Sequence, residues 1–142
     1  MMTVLYPMGG VGQRFKDAGY TTPKHLLKIK DKTLLELAIS SVRKEHPLLF
    51  VCKEEYLEGV QNLVSPGMST FISFRGDTTG PLETILKSEA SKLIDSHNPI
   101  LIADCDSYFT DPSELVRAID SFSFSEASGG VTVRKMETPD PG

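Results

Sequence analysis

Hydrophobic residues along the chain cluster in two ways. Short, nearly continuous apolar runs occupy Thr3 to Met8, Leu48 to Cys52, Thr70 to Phe74, Ile100 to Ala103 and Gly130 to Val133. Longer stretches between them repeat apolar residues at every third or fourth position. The first kind predicts strands, and unbroken runs such as "LLFV" and "ILIA" suit strands covered on both faces. The second kind predicts amphipathic helices with marked ends. In "TLLELAISSV", Thr33 and Glu36 have the capping-box spacing, and Leu34, Leu37, Ala38 and Val42 fall on one face. "EEYLEGVQNLV" carries acids in its first turn and apolar Tyr56, Leu57, Val60, Leu63 and Val64. "GPLETILKSEASKLI" places Pro81 where a first helical residue is tolerated and aligns Leu82, Ile85, Leu86 and Leu93. "DPSELVRAI" repeats the logic with Asp111 as N-cap, Pro112 at N1 and Glu114 at N3. Strands and helices in alternation build an α/β fold, a mainly parallel sheet covered by helices.

Composition sharpens this picture. With 142 residues, 39% hydrophobic and 24% charged, the chain has material for one ordinary core, and no repeat, low-complexity tract or linker divides residues 1–142. A formal net charge of −4 argues against a nucleic-acid or membrane-surface binder, which would need a basic excess. Anionic small ligands fit only if the few cations are gathered in one site. No signal segment or membrane span is legible, so a cytoplasmic location is expected. Cys52 and Cys105 are too few and too far apart for a disulfide framework or a metal knuckle, and both read as free thiols. His25, His46 and His97 are scattered without zinc-site spacing, with His25 at a pocket edge beside Lys24.

Ligands of open α/β sheets bind beyond the carboxyl ends of the strands. "GGVGQRF", "GDTTGP" and "DCDSYF" follow the first, third and fourth runs and are read as one set. Gly9, Gly10 and Gly12 let the backbone turn sharply and present bare N–H groups to an anion, and Arg14 adds a positive fork suited to phosphate oxygens. A tight strand-to-helix turn would use the same glycines for geometry alone. A Walker A loop is excluded, since no lysine and serine follow. A dinucleotide fingerprint is disfavoured by Phe15 at its third glycine and by Cys52 and Lys53 where an acid should end the second strand. Ten residues beyond Arg14, Pro23 fixes the backbone before Lys24.

This combination resembles the sugar-phosphate nucleotidyltransferases, whose signature reads G-x-G-[TS]-R followed by P-K. Here it stands as Gly10, Val11, Gly12, Gln13, Arg14, Pro23 and Lys24, with Gln13 in place of the small hydroxyl residue. "DTTGPLETIL" is similar to the family's T-x-G loop, and "LIADCDSYF" to its A-N-x-D-x-Y segment. The resemblance implies a Rossmann-like three-layer α/β/α fold of the nucleotide-diphospho-sugar transferase, GT-A-like kind. It also implies transfer of a nucleoside monophosphate from a nucleoside triphosphate to a sugar 1-phosphate, releasing pyrophosphate, in cell-surface polysaccharide precursor synthesis. Met8, Gly9, Gly10, Val11, Gly12, Gln13, Thr78 and Gly80 would then bind nucleotide, and Arg14 and Lys24 would be catalytic. Mg²⁺ would sit on Asp106, while Asp104 stands where the family has asparagine or another neutral residue and would support the ion from outside its ligand shell. The expected partners are the two substrates, with room for a homo-oligomer and none for nucleic acid or membrane.

The residues themselves support the metal assignment, because hard oxygen ligands at a strand end suit Mg²⁺ shared with phosphates. Asp104 and Asp106 would both face one ion if the strand continued that far. D-x-D is also the metal motif of GT-A glycosyltransferases, the rival reading, but those lack G-x-G-x-R with P-K. Related cytidylyltransferases share such loops. The family's later part supplies a second metal-binding aspartate and most of the sugar pocket, so the chain is expected to lack the C-terminal part of the fold. A non-catalytic nucleotide-binding module is the reading from a different class.

Overall fold

A computed structural model of the protein describes residues 2–10, 12–42, 45–65, 67–94, 98–111, 113–114 and 117. It divides into two units, Met1–Pro112 and Ser113–Gly142, and the fold described below belongs to the first. The strand predicted at Gly130 to Val133, most of the helix predicted from Asp111, and Val11 and His97 lie outside the described residues.

The elements run β1 (Thr3–Met8), α1 (Gln13–Asp17), β2 (Lys28–Ile29), β3 (Lys32–Thr33), α2 (Leu34–Ser40), β4 (Leu48–Lys53), α3 (Leu57–Leu63), β5 (Ser69–Phe74), α4 (Pro81–Lys87) and β6 (Ile100–Ile102). Four strands form a parallel sheet in the order β5-β4-β1-β6. Parallel crossovers are right-handed, and the β4-to-β5 and β5-to-β6 connections run in opposite directions along the sheet, so α3 and α4 cover opposite faces. The chain therefore reverses its winding between β1 and β6. At that switch point the two flanking loops diverge and leave a crevice.

Alternation along the strands sorts the core into two layers. Leu5, Leu49, Val51 and Phe74 pack with Ile85 of α4 and with Ala90 just beyond it. On the opposite face, the register pairs Tyr6 with Phe50 and Phe50 with Phe71. Their rings stack with centroids 5.4 and 5.3 Å apart. Burial of side chains this size stabilises by roughly 1.5–3 kcal/mol each, which makes this ladder a principal support of the sheet. Burial also lifts the Tyr6 hydroxyl above its usual pKa, with Cys105 adding to the effect.

The capping box at Thr33 and Glu36 forms as expected: Glu36 N donates to the Thr33 hydroxyl at 3.1 Å, and Thr33 N donates to the Glu36 carboxylate at 2.7 Å. Two predicted faces need correction. In α2 it is Leu35, not Leu34, that is fully buried along with Ala38, because "LLELA" supports two stripes one residue apart. In α4 the leucines predicted to face the core lie outside: Leu82, Leu86 and, beyond the helix, Leu93 are 67%, 62% and 58% exposed. The buried side carries Thr84, Ile85 and Ser88, whose small polar members allow close approach to the loop after β1. The hairpin of β2 and β3 was not foreshadowed, since two-residue strands leave no periodicity to read. Among the described residues no helix is long and apolar enough to cross a membrane.

Candidate functional site

The crevice between β1 and β6 opens at the carboxyl end of the sheet. Ala103 N donates to Leu5 O at 2.9 Å, so the odd residues of β1 direct their backbone groups toward β6. Pro7, two residues later, has no N–H to offer there and lines the cleft, and its place in a central strand costs no ladder bond because β6 has ended.

The glycine-rich loop continues from Met8 and performs two different tasks. Gly9 is buried, and a Cβ there would lie 2.4 Å from Thr78 Oγ1, 2.5 Å from Thr84 Oγ1 and 2.6 Å from the Phe74 ring. Gly9 is thus a packing glycine that lets the loops after β1 and β5 touch, and Gly10 bridges Thr78 beside it. Gly12 has φ +61°, the left-handed conformation that glycine adopts without a Cβ penalty, and its carbonyl receives the first bonds of α1. Around the Cβ positions of Gly10 and Gly12 there is open space.

The loop after β5 is pinned from within. The hydroxyls of Thr78 and Thr84 lie 2.6 Å apart, and Thr84 Oγ1 also donates to Gly80 O at 3.0 Å. The Thr79 hydroxyl and backbone N–H both donate to the Glu83 carboxylate. With Lys87 they hold its pKa down to about 2. Pro81 occupies N1 of α4 as predicted.

The third contribution is the segment Pro23 to Leu26. Pro23 has φ −55° and starts a 3₁₀ turn over Lys24–Leu26, which aims Lys24 at the loop after β6. Lys24 Nζ lies 2.8 Å from Asp106 Oδ2, and both side chains are 32% exposed. Burial works against the lysine's charge, but the hydrogen bond to Asp106 and the nearby Cys105 and Asp104 together hold its pKa above the ordinary value. His25 beside it is buried and meets the Tyr56 ring edge-on at 5.6 Å. Desolvation, then the charge of Lys24, pushes its pKa down to about 4, so it stands neutral in the cleft wall, and among the described residues no hydrogen-bond partner reaches its Nε2. Cys52 and Cys105 are free and buried, and desolvation pushes both thiols up to about 11.

The cleft is lined by Met8, Gly10, Gly12 and Gly80 among the residues singled out in the sequence, together with Lys24 and Asp104. Gly9 and Thr78 lie packed behind it, and Asp106 reaches it through Lys24. Gln13 and Arg14 are exposed on α1 and are not lining residues, and Gln13 Nε2 donates to Asp17 at 2.6 Å. β6 stops at Ile102 and the chain turns at Cys105 and Asp106, so the strand alternation that would have aimed both aspartates at one point does not extend to them. Sequence reasoning missed Lys16 and Lys53, both of which line the cleft. A charge ending the apolar run "LLFVC" was the available signal for Lys53. The charged side chains lining the cleft among the described residues are Lys16, Lys24, Lys53 and Asp104, a cationic majority in a chain of net charge −4. Three of the chain's fifteen lysines and arginines thus share this cleft, a setting that suits an anionic ligand.

Asp104 and Asp106 are hard-oxygen donors, and among the described residues no set of three or more His, Cys, Asp or Glu converges. Mg²⁺ takes one or two carboxylates and completes its shell with water and substrate phosphate rather than a closed protein cage, so two aspartates in one loop are donors of the right kind.

No protein-family model matches the chain, and no curated protein matches it. Among solved structures it is similar to the nucleoside-diphosphate-sugar pyrophosphorylase from Vibrio cholerae RC9, with 25% identity and a TM-score of 0.56. The similarity covers 79% of this chain and 52% of that one, so the chain spans about half the length of the structure it matches. The chain thus resembles the sugar-phosphate nucleotidyltransferases in its fold as well as in its glycine-rich and Pro-Lys motifs.

Proposed function

We propose that the chain carries the nucleotide-binding side of a sugar-phosphate nucleotidyltransferase, which moves a nucleoside monophosphate from a nucleoside triphosphate to a sugar 1-phosphate and releases pyrophosphate. Synthesis of cell-surface polysaccharide precursors in the cytoplasm is the role such an activity would serve. The observation that supports this reading best is the contact of Lys24 with Asp106 at 2.8 Å, which joins residues far apart in the chain at the switch point of the sheet.

In this reaction the attacking sugar phosphate oxygen is already anionic, so no general base is needed and rate comes from alignment and charge neutralisation. Gly10 and Gly12 leave room for a triphosphate to approach the backbone. Lys24 would bridge the α-phosphate and the incoming sugar phosphate, and its raised pKa keeps it charged through the neutral range. Gly80 would border the base, with Thr78 holding its loop from behind, and Arg14, exposed on α1 beside the cleft lining, would steady the departing pyrophosphate. Asp106 and Asp104 would hold Mg²⁺, which when bound offsets charge at the reacting phosphorus.

Full-length protein assayed with a panel of nucleoside triphosphates and sugar 1-phosphates should release pyrophosphate. Lys24→Ala should lower that rate by about a hundredfold or more, the usual cost of a charge acting mainly in the transition state, while the melting temperature stays close to wild type. Near-normal pyrophosphate release by Lys24→Ala would falsify its assigned role. Sugar transfer from a nucleotide-activated sugar without pyrophosphate release would instead support the glycosyltransferase reading.

A further inference from the structure

Lys53 ends β4, is buried, and lines the cleft. An ammonium taken out of water needs a partner. Lys53 Nζ is ion-paired with Asp77, in the loop after β5, and the two ends of that pair are held very differently. The lysine side chain is 11% exposed, whereas that of Asp77 is 67% exposed. Asp77 also lies in a basic neighbourhood: Lys53 first, then Lys16 and Lys87, keep its carboxyl below the usual range. Lys87 Nζ donates to the Asp77 backbone carbonyl at 2.9 Å, which ties down the loop but leaves the carboxylate free to turn into water. The other described ion pair at the cleft is unlike this one, since the Lys24 and Asp106 side chains are equally half-buried.

We infer that Lys53 is a ligand-binding cation of the cleft and Asp77 its exchangeable counter-ion, so that a nucleotide phosphate takes the place of the Asp77 carboxylate on Lys53. The inference rests on the anionic-nucleotide reading of the cleft and adds to it a residue and a direction. Asp77 competes with the ligand, and its removal strengthens binding, whereas removal of a merely structural partner would weaken it.

The test is calorimetric titration of the full chain with inorganic tripolyphosphate and with nucleoside triphosphates. Asp77→Asn should bind at least about threefold more tightly than wild type. Lys53→Met, which keeps the buried stem, should bind about tenfold or more weakly, the scale of a lost charge-assisted hydrogen bond. Glu89→Gln makes the same change of charge as Asp77→Asn at the far end of α4, in an exposed pair with Lys92, and should stay within about twofold of wild type. Asp77→Asn keeps an amide oxygen that can accept from the buried Lys53 ammonium, and its melting temperature checks its fold whether or not Lys53→Met folds. Asp77→Asn binding no better than Glu89→Gln overturns the proposal, as does a folded Lys53→Met that binds like wild type. Binding that depends on Lys24 but ignores Lys53 and Asp77 removes this inference and leaves the function standing. A wild-type chain that binds neither probe removes both.

Discussion

The back wall of the cleft and its rim are made from the same loops yet obey different physics. Behind the cleft, Gly9 touches Thr78, Thr84 and Phe74, the two threonine hydroxyls bond each other, and His25 lies buried against Tyr56. At the rim, Gly10 and Gly12 face open space, Arg14 is exposed, and Lys24 and Asp106 are half-exposed. A substitution in the wall has to move packed atoms, whereas one at the rim changes what the surface offers a ligand. Stability and binding should therefore separate along this boundary, although the residues on its two sides are sequence neighbours.

The hardest test of the wall is Gly9→Ala. Its new methyl carbon meets three atoms closer than 3.0 Å, all on short or rigid side chains that cannot swing away. Overpacking of this kind costs typically 1–3 kcal/mol and occasionally more, and about 3 kcal/mol is expected here. Chemical denaturation of Gly9→Ala and of Gly9→Ala with Thr78→Ala gives the check. The double variant should recover only part of the loss, because Thr84 and Phe74 still intrude. Wild-type stability for Gly9→Ala would mean that the wall is not packed as described.

His25 brings pH into the comparison. Its folded pKa of about 4 lies below the ordinary value of 6.5 that applies to the unfolded chain, so between those values the unfolded state binds the extra proton. Stability is then fully present above pH 6.5 and lost as pH falls toward 4, by roughly 3 kcal/mol for one group. Carboxylates with lowered pKa, such as Glu36 and Asp77, lose their contributions at more acid pH. His25→Gln should flatten the stability profile between pH 6.5 and 4 relative to wild type. Parallel profiles for the two proteins would rule out a buried neutral imidazole.

Much of the framework was legible because its signals are local. The apolar run from Thr3 to Met8 coincides with β1, the capping box forms at Thr33, and Pro81 opens α4. What remained hidden depends on three-dimensional neighbours. The leucines of α4 have helical spacing, and spacing identifies a helix without saying which side turns inward, so Thr84 and Ile85 took the core side. The motifs named Gly9, Lys24 and Asp106, but only the fold makes Gly9 a packing residue and brings Lys24 to Asp106. Lys53 belongs to no motif, and its burial follows from β4 lying inside the sheet. Arg14 bears the same lesson in reverse, since a motif position did not make it a lining residue.

The finest test lies within the rim itself, between two glycines that both face open space. Gly12 holds φ +61°, so an alanine there strains the backbone without touching anything, at about 1–2 kcal/mol. Asparagine tolerates that conformation better, so Gly12→Asn should lose less than Gly12→Ala. Gly10 has neither a positive φ nor a neighbour within 4 Å of its Cβ position, and Gly10→Ala should stay within about 0.5 kcal/mol of wild type. Its methyl group would stand at the wall of a cleft that Gly10 lines, so the same variant should bind tripolyphosphate more weakly. Equal melting temperatures with weakened binding at Gly10, beside lowered stability at Gly12, would separate the glycine a ligand needs from the one the turn needs. If Gly10→Ala binds like wild type, the close approach of phosphate to the loop does not take place at Gly10.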